Sequence, residues 1–118
     1  MVNVTIQGDR VIFDVEGLHQ LWAFRGQLEI PLAHVTDVEF DPDRVGRWWH
    51  GWKLLGTELP GVFAAGTFYY NGELVFWDVR DPSNSIIVSL NDERYRKLII
   101  EVDNPPATVN RLRSALRK

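Results

Sequence analysis

The sequence predicts a mainly β domain with one C-terminal α-helix, and three features of the 118-residue chain support this prediction. Apolar and polar residues alternate in six or more short segments, which is the period of a half-buried β-strand. Turn dipeptides such as Asn71-Gly72 lie between several of these segments. The last segment instead repeats its apolar residues at helical spacing. We therefore expect a small barrel, or an orthogonal sandwich of two sheets, closed at one end by the helix.

Length and composition are typical of a single globular domain over residues 1–118. The chain is 45% hydrophobic and 25% charged, which is ordinary for a folded protein. A chain of this size buries roughly two-thirds of its unfolded surface, so one core forms without a disulfide or a metal ion. The sequence has no cysteine, which excludes disulfides, thiolate metal sites and cysteine catalysis and fits a reducing cytoplasm.

The charge balance argues against nucleic acid as a partner, because a net charge of −3 repels a polyanion. The N-terminus lacks a positive segment followed by an apolar run, so we predict no signal peptide. The sequence has no apolar stretch of roughly 18 residues, the length needed to span a bilayer. We expect a cytoplasmic protein.

The chain opens with a predicted β-hairpin, since apolar residues alternate over 2–6 and 11–15 around the turn Gly8-Asp9. Residues 18–24 fit a short helix, and an extended segment is almost as good an interpretation. Alternation returns over residues 27–32, where Pro31 lacks a donor and so predicts an edge strand or a strand end. A further extended segment, residues 35–40, ends at Asp41-Pro42. The region that follows, residues 41–62, has four glycines and two prolines, so we expect a long irregular segment there.

The second half of the chain predicts four strands with clear turns. Residues 64–70 and 73–80 form a hairpin around Asn71-Gly72. Both faces of the 73–80 strand are mostly apolar, which places it inside a sheet. Residues 86–90 and 98–102 are the last two strands. A helix over about residues 105–117 follows, with Asn104 as N-cap and Pro105 at the first helical position.

An aromatic segment at residues 46–53 is the candidate binding site. It contains three of the five tryptophans, and Gly46 and Gly51 favour a loop over a helix. Aromatic side chains beside cations suit contact with a protein, a ligand or a lipid surface. In the alternative interpretation this loop folds back and covers the open end of the core. The candidate residues are Arg47, Trp48, Trp49, His50, Trp52 and Lys53.

Several segments together resemble small stand-alone bacterial pleckstrin-homology-like (PH-like) proteins over roughly residues 10–117. The more specific ones are Gly56-Thr57-Glu58-Leu59-Pro60-Gly61 and Phe76-Trp77-Asp78-Val79-Arg80, and Ile30-Pro31-Leu32 is weaker. The resemblance implies two near-orthogonal antiparallel sheets capped by a C-terminal helix, and it implies no activity. The first hairpin offers only Arg10 as a cation, which argues against a phosphoinositide pocket.

The residues show no pattern that indicates catalysis, a metal or a cofactor. The histidines at 19, 34 and 50 lack zinc-site spacing, and we expect His34 to bond a backbone group. The acidic residues at 37, 39 and 41 suit the wet face of a strand, because a calcium loop would need a glycine at position 42. Residues 56–61 lack the lysine of a phosphate-binding loop. Asp78 either faces a ligand or, as we favour, joins an ion pair or accepts backbone donors.

We therefore expect a non-catalytic binding or scaffold module whose partner is a protein contacted through residues 46–53. The first alternative is self-assembly through edge strands, for which residues 86–88 are candidates because they are apolar on both faces. The second is peripheral membrane contact through Trp48, Trp49 and Trp52, with Arg47 and Lys53 near the lipid headgroups.

Overall fold

A computed structural model describes residues 2–15, 27–54, 64–70 and 72–117, and over 49–54 and 64–70 it describes the backbone alone. Within these ranges the chain forms a three-stranded sheet, a five-stranded sheet and two α-helices. The strands are β1 (Val2–Gln7), β2 (Arg10–Val15), β3 (Gln27–Pro31), β4 (Val35–Glu39), β5 (Ala64–Tyr70), β6 (Glu73–Val79), β7 (Ser85–Leu90) and β8 (Lys97–Glu101). The helices are α1 (Pro42–Leu54) and α2 (Pro105–Leu116). The prediction of a mainly β chain with a C-terminal helix is confirmed.

The three-stranded sheet has the order β1-β2-β3, with both pairs antiparallel. Gly8 has a φ of +59°, which a glycine adopts at no steric cost, so the predicted opening hairpin forms a tight turn. Val2, Val4, Val11, Phe13 and Val15 are buried on one face of this sheet. Pro31 lies at the end of the edge strand β3, as the missing N–H donor predicts.

The five-stranded sheet has the order β4-β7-β8-β6-β5, and its chain path is not a simple meander. The hairpin β5–β6 is antiparallel, with Tyr70 opposite Glu73 and a φ of +79° at Gly72, as predicted. Strand β8, however, lies between β6 and β7 and runs parallel to β6. The expectation of antiparallel pairing throughout is therefore wrong at this one pair.

The side chain of Glu101, at the end of β8, fixes the connection from β6 to β7. This connection has to pass over the end of β8, because β8 separates the two strands that it joins. Glu101 Oε1 accepts the backbone N–H groups of Arg80 (2.8 Å) and Asp81 (2.9 Å). The backbone N–H of Val102 donates to the carbonyl of Asn84, 2.9 Å away. Within the connection, Pro82–Asn84 form a 3-10 turn, with Asp81 accepting from the Ser83 N–H at 3.1 Å.

Both faces of the central strands β6, β7 and β8 are buried, because these strands send alternate apolar residues to opposite sides of the sheet. One face shares the main core with the three-stranded sheet and α2, and it contributes Phe76, Ile86, Val88, Leu98 and Ile100. The opposite face carries a second core of Val75, Trp77, Val79, Ile87 and Ile99, which Val45 of α1 completes. The prediction that both faces of β6 are apolar is confirmed, and Trp77 is a core residue with 0% exposure.

The C-terminal helix α2 joins the two sheets and has the predicted cap. Asn104 Oδ1 accepts the N–H of Ala107 at 3.2 Å, and Pro105 is the first helical residue. Val109 and Leu112 are buried in the main core. Two arginines on α2 reach one sheet each: Arg111 donates to the Val4 carbonyl of β1 (2.7 Å), and Arg113 to the Val38 carbonyl of β4 (3.0 Å). These two side chains thus hold backbone groups of both sheets.

The structure corrects three further predictions. Strand β7 lies between β4 and β8, and Ile86, Ile87 and Val88 are buried, so this segment is not an exposed edge. Among the described residues, no ladder joins the two sheets into a closed barrel. Residues 42–54 are a helix, although we expected an irregular segment. The predictions made for residues 18–24 and 56–61 lie outside the described residues.

Candidate functional site

The aromatic segment lies in helix α1, so the prediction of a loop at residues 46–53 is wrong. Asp41 is the N-cap: its Oδ1 accepts the backbone N–H of Arg44 at 3.2 Å, three residues on. Pro42 occupies the first helical position, and Asp43 places a negative charge in the first turn. Gly46 lies inside the helix, because packing against a sheet outweighs its low helical propensity of about 1 kcal/mol relative to Ala.

Helix α1 packs on the second core through Val45 and Trp48, one helical turn apart. Val45 is 0% exposed, and Trp48 is half-buried against the same cluster. Trp48 is therefore partly a core residue, on the outer face of the five-stranded sheet and not at an open end of the main core. In helical backbone, positions 48, 49 and 52 fall on one broad stripe with position 45.

Arg44 links the start of α1 to the Trp48 ring and to strand β4. Its guanidinium carbon lies 5.2 Å from the centre of the ring, within the range of a cation–π contact. Its Nη2 donates to Glu39 Oε2 at 3.0 Å, and its Nε lies 3.9 Å from Asp41 Oδ2. Two of the acidic residues predicted to form a solvated face therefore neutralise an arginine that orients Trp48.

The candidate site residues divide into two groups. Arg47 is exposed, and Trp48 is half-buried against the second core. Trp49, His50, Trp52 and Lys53 continue the helix, and their side chains lie outside the part that the structure describes. Phe40, two residues before the start of α1, is 40% exposed. The accessible surface at the start of α1 thus includes Phe40, Arg47 and part of Trp48.

A polar cleft lies on another part of the surface, between the β5–β6 turn and the β7–β8 loop. It has a volume of about 340 Å³, and charged side chains dominate its lining. Arg96 Nε lies 3.5 Å from Glu73 Oε2, so these two neutralise each other across the cleft. Asp92 has a φ of +57°, a left-handed conformation that aspartate tolerates better than most residues. No sequence pattern predicts the cleft, because Glu73 reaches it from a segment far from the β7–β8 loop.

His34 closes one side of this loop through a carboxylate. Its Nδ1 lies 2.5 Å from Glu93 Oε2, and its backbone carbonyl accepts the N–H of Asn91 at 2.9 Å. The prediction of a backbone partner for the imidazole is therefore wrong, because the partner is the side chain of Glu93. The contact joins the 3-10 turn Leu32–His34 to the β7–β8 loop, 59 residues away in sequence.

Asp78 is the buried carboxylic acid of strand β6, with 4% exposure, and it lies opposite Ile100 of β8. Burial raises the pKa of Asp78 above its usual value of 3.8, and the negative charge of Glu101 acts in the same direction, whereas Arg80 opposes the shift. Just after this strand, the backbone N–H groups of Arg80 and Asp81 donate to Glu101. Glu101 is thus a structural residue that no sequence pattern predicted.

In the described ranges, no group of three or more histidine or acidic residues is arranged to hold a metal ion. Within the same ranges, no helix is both long enough and apolar enough to cross a bilayer. Comparison with known proteins gives no match: no family model, no curated protein and no solved structure is significantly similar to this chain.

Proposed function

We propose that this chain is a non-catalytic binding module of PH-like architecture that contacts a protein partner through the surface at the start of α1. The PH-like part of the proposal draws on two stacked sheets, with a C-terminal helix that touches both. The parallel pairing of β8 with β6 departs from the architecture that the resemblance implies. The proposal thus concerns the layer arrangement, not the order of strands.

The observation that carries the proposal is the composition of this surface. Phe40 is 40% exposed, and among the described residues it is the large hydrophobic residue that stands out in solvent. Arg47 is exposed on the helix beside the half-buried Trp48. Aromatic residues and arginine are the residue types most enriched in protein interfaces, and they provide much of the binding energy there.

A charge reversal at Arg47 tests the proposal better than replacing the tryptophans. Because Trp48 packs on the second core, replacing it by alanine lowers stability and binding together. Arg47→Glu changes an exposed residue, so we expect the free energy of unfolding to stay within about 0.5 kcal/mol of the wild type. Retention of a partner protein from lysate of the source cells, on immobilised variant, should fall at least ten-fold.

Arg117→Glu is the matched control, since it makes the same change in charge at an exposed residue after α2. Replacing one positive by one negative charge takes the net charge from −3 to −5 in both variants. We expect this control to retain the partner as the wild type does. Equal retention of the partner by the wild type and both variants would refute the proposal. It would also be refuted if the wild type bound protein-free lipid vesicles and Arg47→Glu did not.

A further inference from the structure

The outer edge of strand β5 differs from the other sheet edges of this protein. In the described part of the chain the edge strands are β1 and β3 of one sheet and β4 and β5 of the other. Backbone N–H and C=O groups on such an edge can pair with a strand of another chain. Proteins commonly prevent this pairing with charges, prolines or a covering element.

Helix α2 covers the edges of β1 and β4. Arg111 occupies the carbonyl of Val4 on β1 at 2.7 Å, and Arg113 occupies that of Val38 on β4 at 3.0 Å. Both carbonyls point away from the neighbouring strand, since each is bonded by a side chain from outside the sheet. A strand that added to the edge of β1 or β4 would have to displace the hydrogen bond from the arginine at that edge.

Strand β3 is protected by its own sequence. In a two-residue hairpin the pair of residues that flanks the turn is hydrogen-bonded, and in β1–β2 this pair is Gln7 and Arg10. Along the strands, every second pair from there is hydrogen-bonded, and the residues between them turn their backbone groups to the other side of the strand. The register then turns the backbone of Glu29 and Pro31 towards the outer edge of β3. Pro31 has no N–H to donate there, and the ion pair of Glu29 with Arg10 (3.5 Å) places charged groups beside any incoming strand.

Within the described ranges, strand β5 has neither kind of protection. Its sequence, Ala-Ala-Gly-Thr-Phe-Tyr-Tyr, has no charged residue and no proline. Tyr70 and Glu73 close the β5–β6 hairpin, so the same alternation turns the backbone groups of Ala65, Thr67 and Tyr69 away from β6. These three residues lie symmetrically about Thr67.

We propose that β5 pairs with β5 of a second copy of this chain, antiparallel and centred on Thr67. A two-fold axis there places Thr67 opposite its own copy and Ala65 opposite Tyr69 of the other molecule. The outward N–H and C=O groups of all three residues then find partners in one register, and no charge is buried. The two five-stranded sheets become one continuous sheet across a self-complementary dimer interface.

The absence of cysteine from the chain allows a direct test of this register. In an antiparallel hydrogen-bonded pair the two Cα atoms lie about 5.5 Å apart, within the range that a disulfide spans. A single Thr67→Cys substitution therefore places two thiols opposite each other in the dimer. In the control Ala65→Cys the two thiols are four residues apart along the sheet, which is roughly 13 Å and too far for a disulfide.

Under mild oxidation we expect Thr67→Cys to form a disulfide-linked dimer at least ten-fold faster than Ala65→Cys, measured by non-reducing electrophoresis. Wild-type protein should sediment as a dimer at micromolar concentrations. Equal rates for the two variants would overturn the register, and wild-type protein that remains a monomer across the micromolar range would overturn the dimer.

Amide hydrogen exchange on the wild-type chain tests the same interface without a variant that could fail to fold. The amides of Ala65, Thr67 and Tyr69 should exchange at least ten-fold more slowly as the protein concentration is raised through the dimer transition. Rates that do not depend on concentration would contradict the proposal. The surface at the start of α1 is not part of this interface, so Arg47→Glu should leave the dimer unchanged even if it abolishes partner binding.

Discussion

The buried carboxyl of Asp78 makes the stability of this fold depend on pH. The carboxyl is 4% exposed, and its burial raises the pKa above 3.8. A raised pKa means that the folded state holds the proton more tightly than the unfolded state does. Ionisation of Asp78 therefore lowers stability: the cost is absent below pH 3.8 and complete above the raised pKa of the folded state.

We predict that Asp78→Asn gains stability relative to the wild type as the pH rises from below 3.8 to 7. The amide does not ionise, so the variant avoids the cost of a buried charge at neutral pH. Denaturant midpoints measured for both proteins between pH 3 and pH 7 test this expectation. Asp14→Asn, at an exposed position of β2, controls for the change from carboxylate to amide. A difference between Asp78→Asn and wild type that does not vary with pH would contradict it.

At the scale of elements, the two helices begin with the same local chemistry but play different roles. Asp41-Pro42 starts α1 and Asn104-Pro105 starts α2, each with a side-chain oxygen on the N–H three residues later. Helix α2 closes the main core between the sheets, whereas α1 covers the second core on the outer face of the larger sheet. The cap of α1 therefore helps to position the proposed binding surface.

Replacing the cap with Asp41→Ala should lower the free energy of unfolding by about 1 kcal/mol and the melting temperature by about 4 °C. The first turn of α1 loses an acceptor for its N–H groups and a negative charge near Arg44. Asp41→Asn keeps the acceptor, so it should retain most of the stability. Thermal unfolding followed by circular dichroism measures both effects. Equal losses in the two variants would show that the charge, not the cap, stabilises this end.

At the scale of the whole molecule, the five-stranded sheet couples the two cores. Strand β8 contributes Ile99 to the second core and Ile100 to the main core, so neither core can lose its packing without disturbing the same strand. Hydrogen bonds from Arg111 and Arg113 connect α2 to both sheets. We therefore expect the described elements to unfold together.

Truncating one residue in each core tests this coupling. Leu112→Ala in the main core and Ile99→Ala in the second core each remove a side chain with 1% exposure, at an expected cost of about 2–5 kcal/mol. In each variant, tryptophan fluorescence and far-ultraviolet circular dichroism should give one shared denaturant transition. Two separate transitions in Ile99→Ala would show that α1 and the second core unfold independently.

The residues at the start of α1 indicate a helix, whereas the glycines within it indicate a loop. Asp41-Pro42-Asp43 has the N-cap, the proline and the acidic first turn of a helix. Gly46 and Gly51 led to the prediction of a loop, because glycine lowers intrinsic helical propensity. The contact of Val45 and Trp48 with the sheet stabilises the helix in spite of them, and no local pattern reports that contact.

The sequence by itself determined what depends on neighbours along the chain. Both tight hairpins, the edge position of β3, the two apolar faces of β6 and the cap of α2 follow from period, turn chemistry and proline geometry within a few residues. Tertiary structure alone decided the insertion of β8 beside β6, the interior place of β7, the pairing of His34 with Glu93 and the role of Glu101. Each joins residues far apart in sequence, and which partners meet depends on how whole sheets bury their faces.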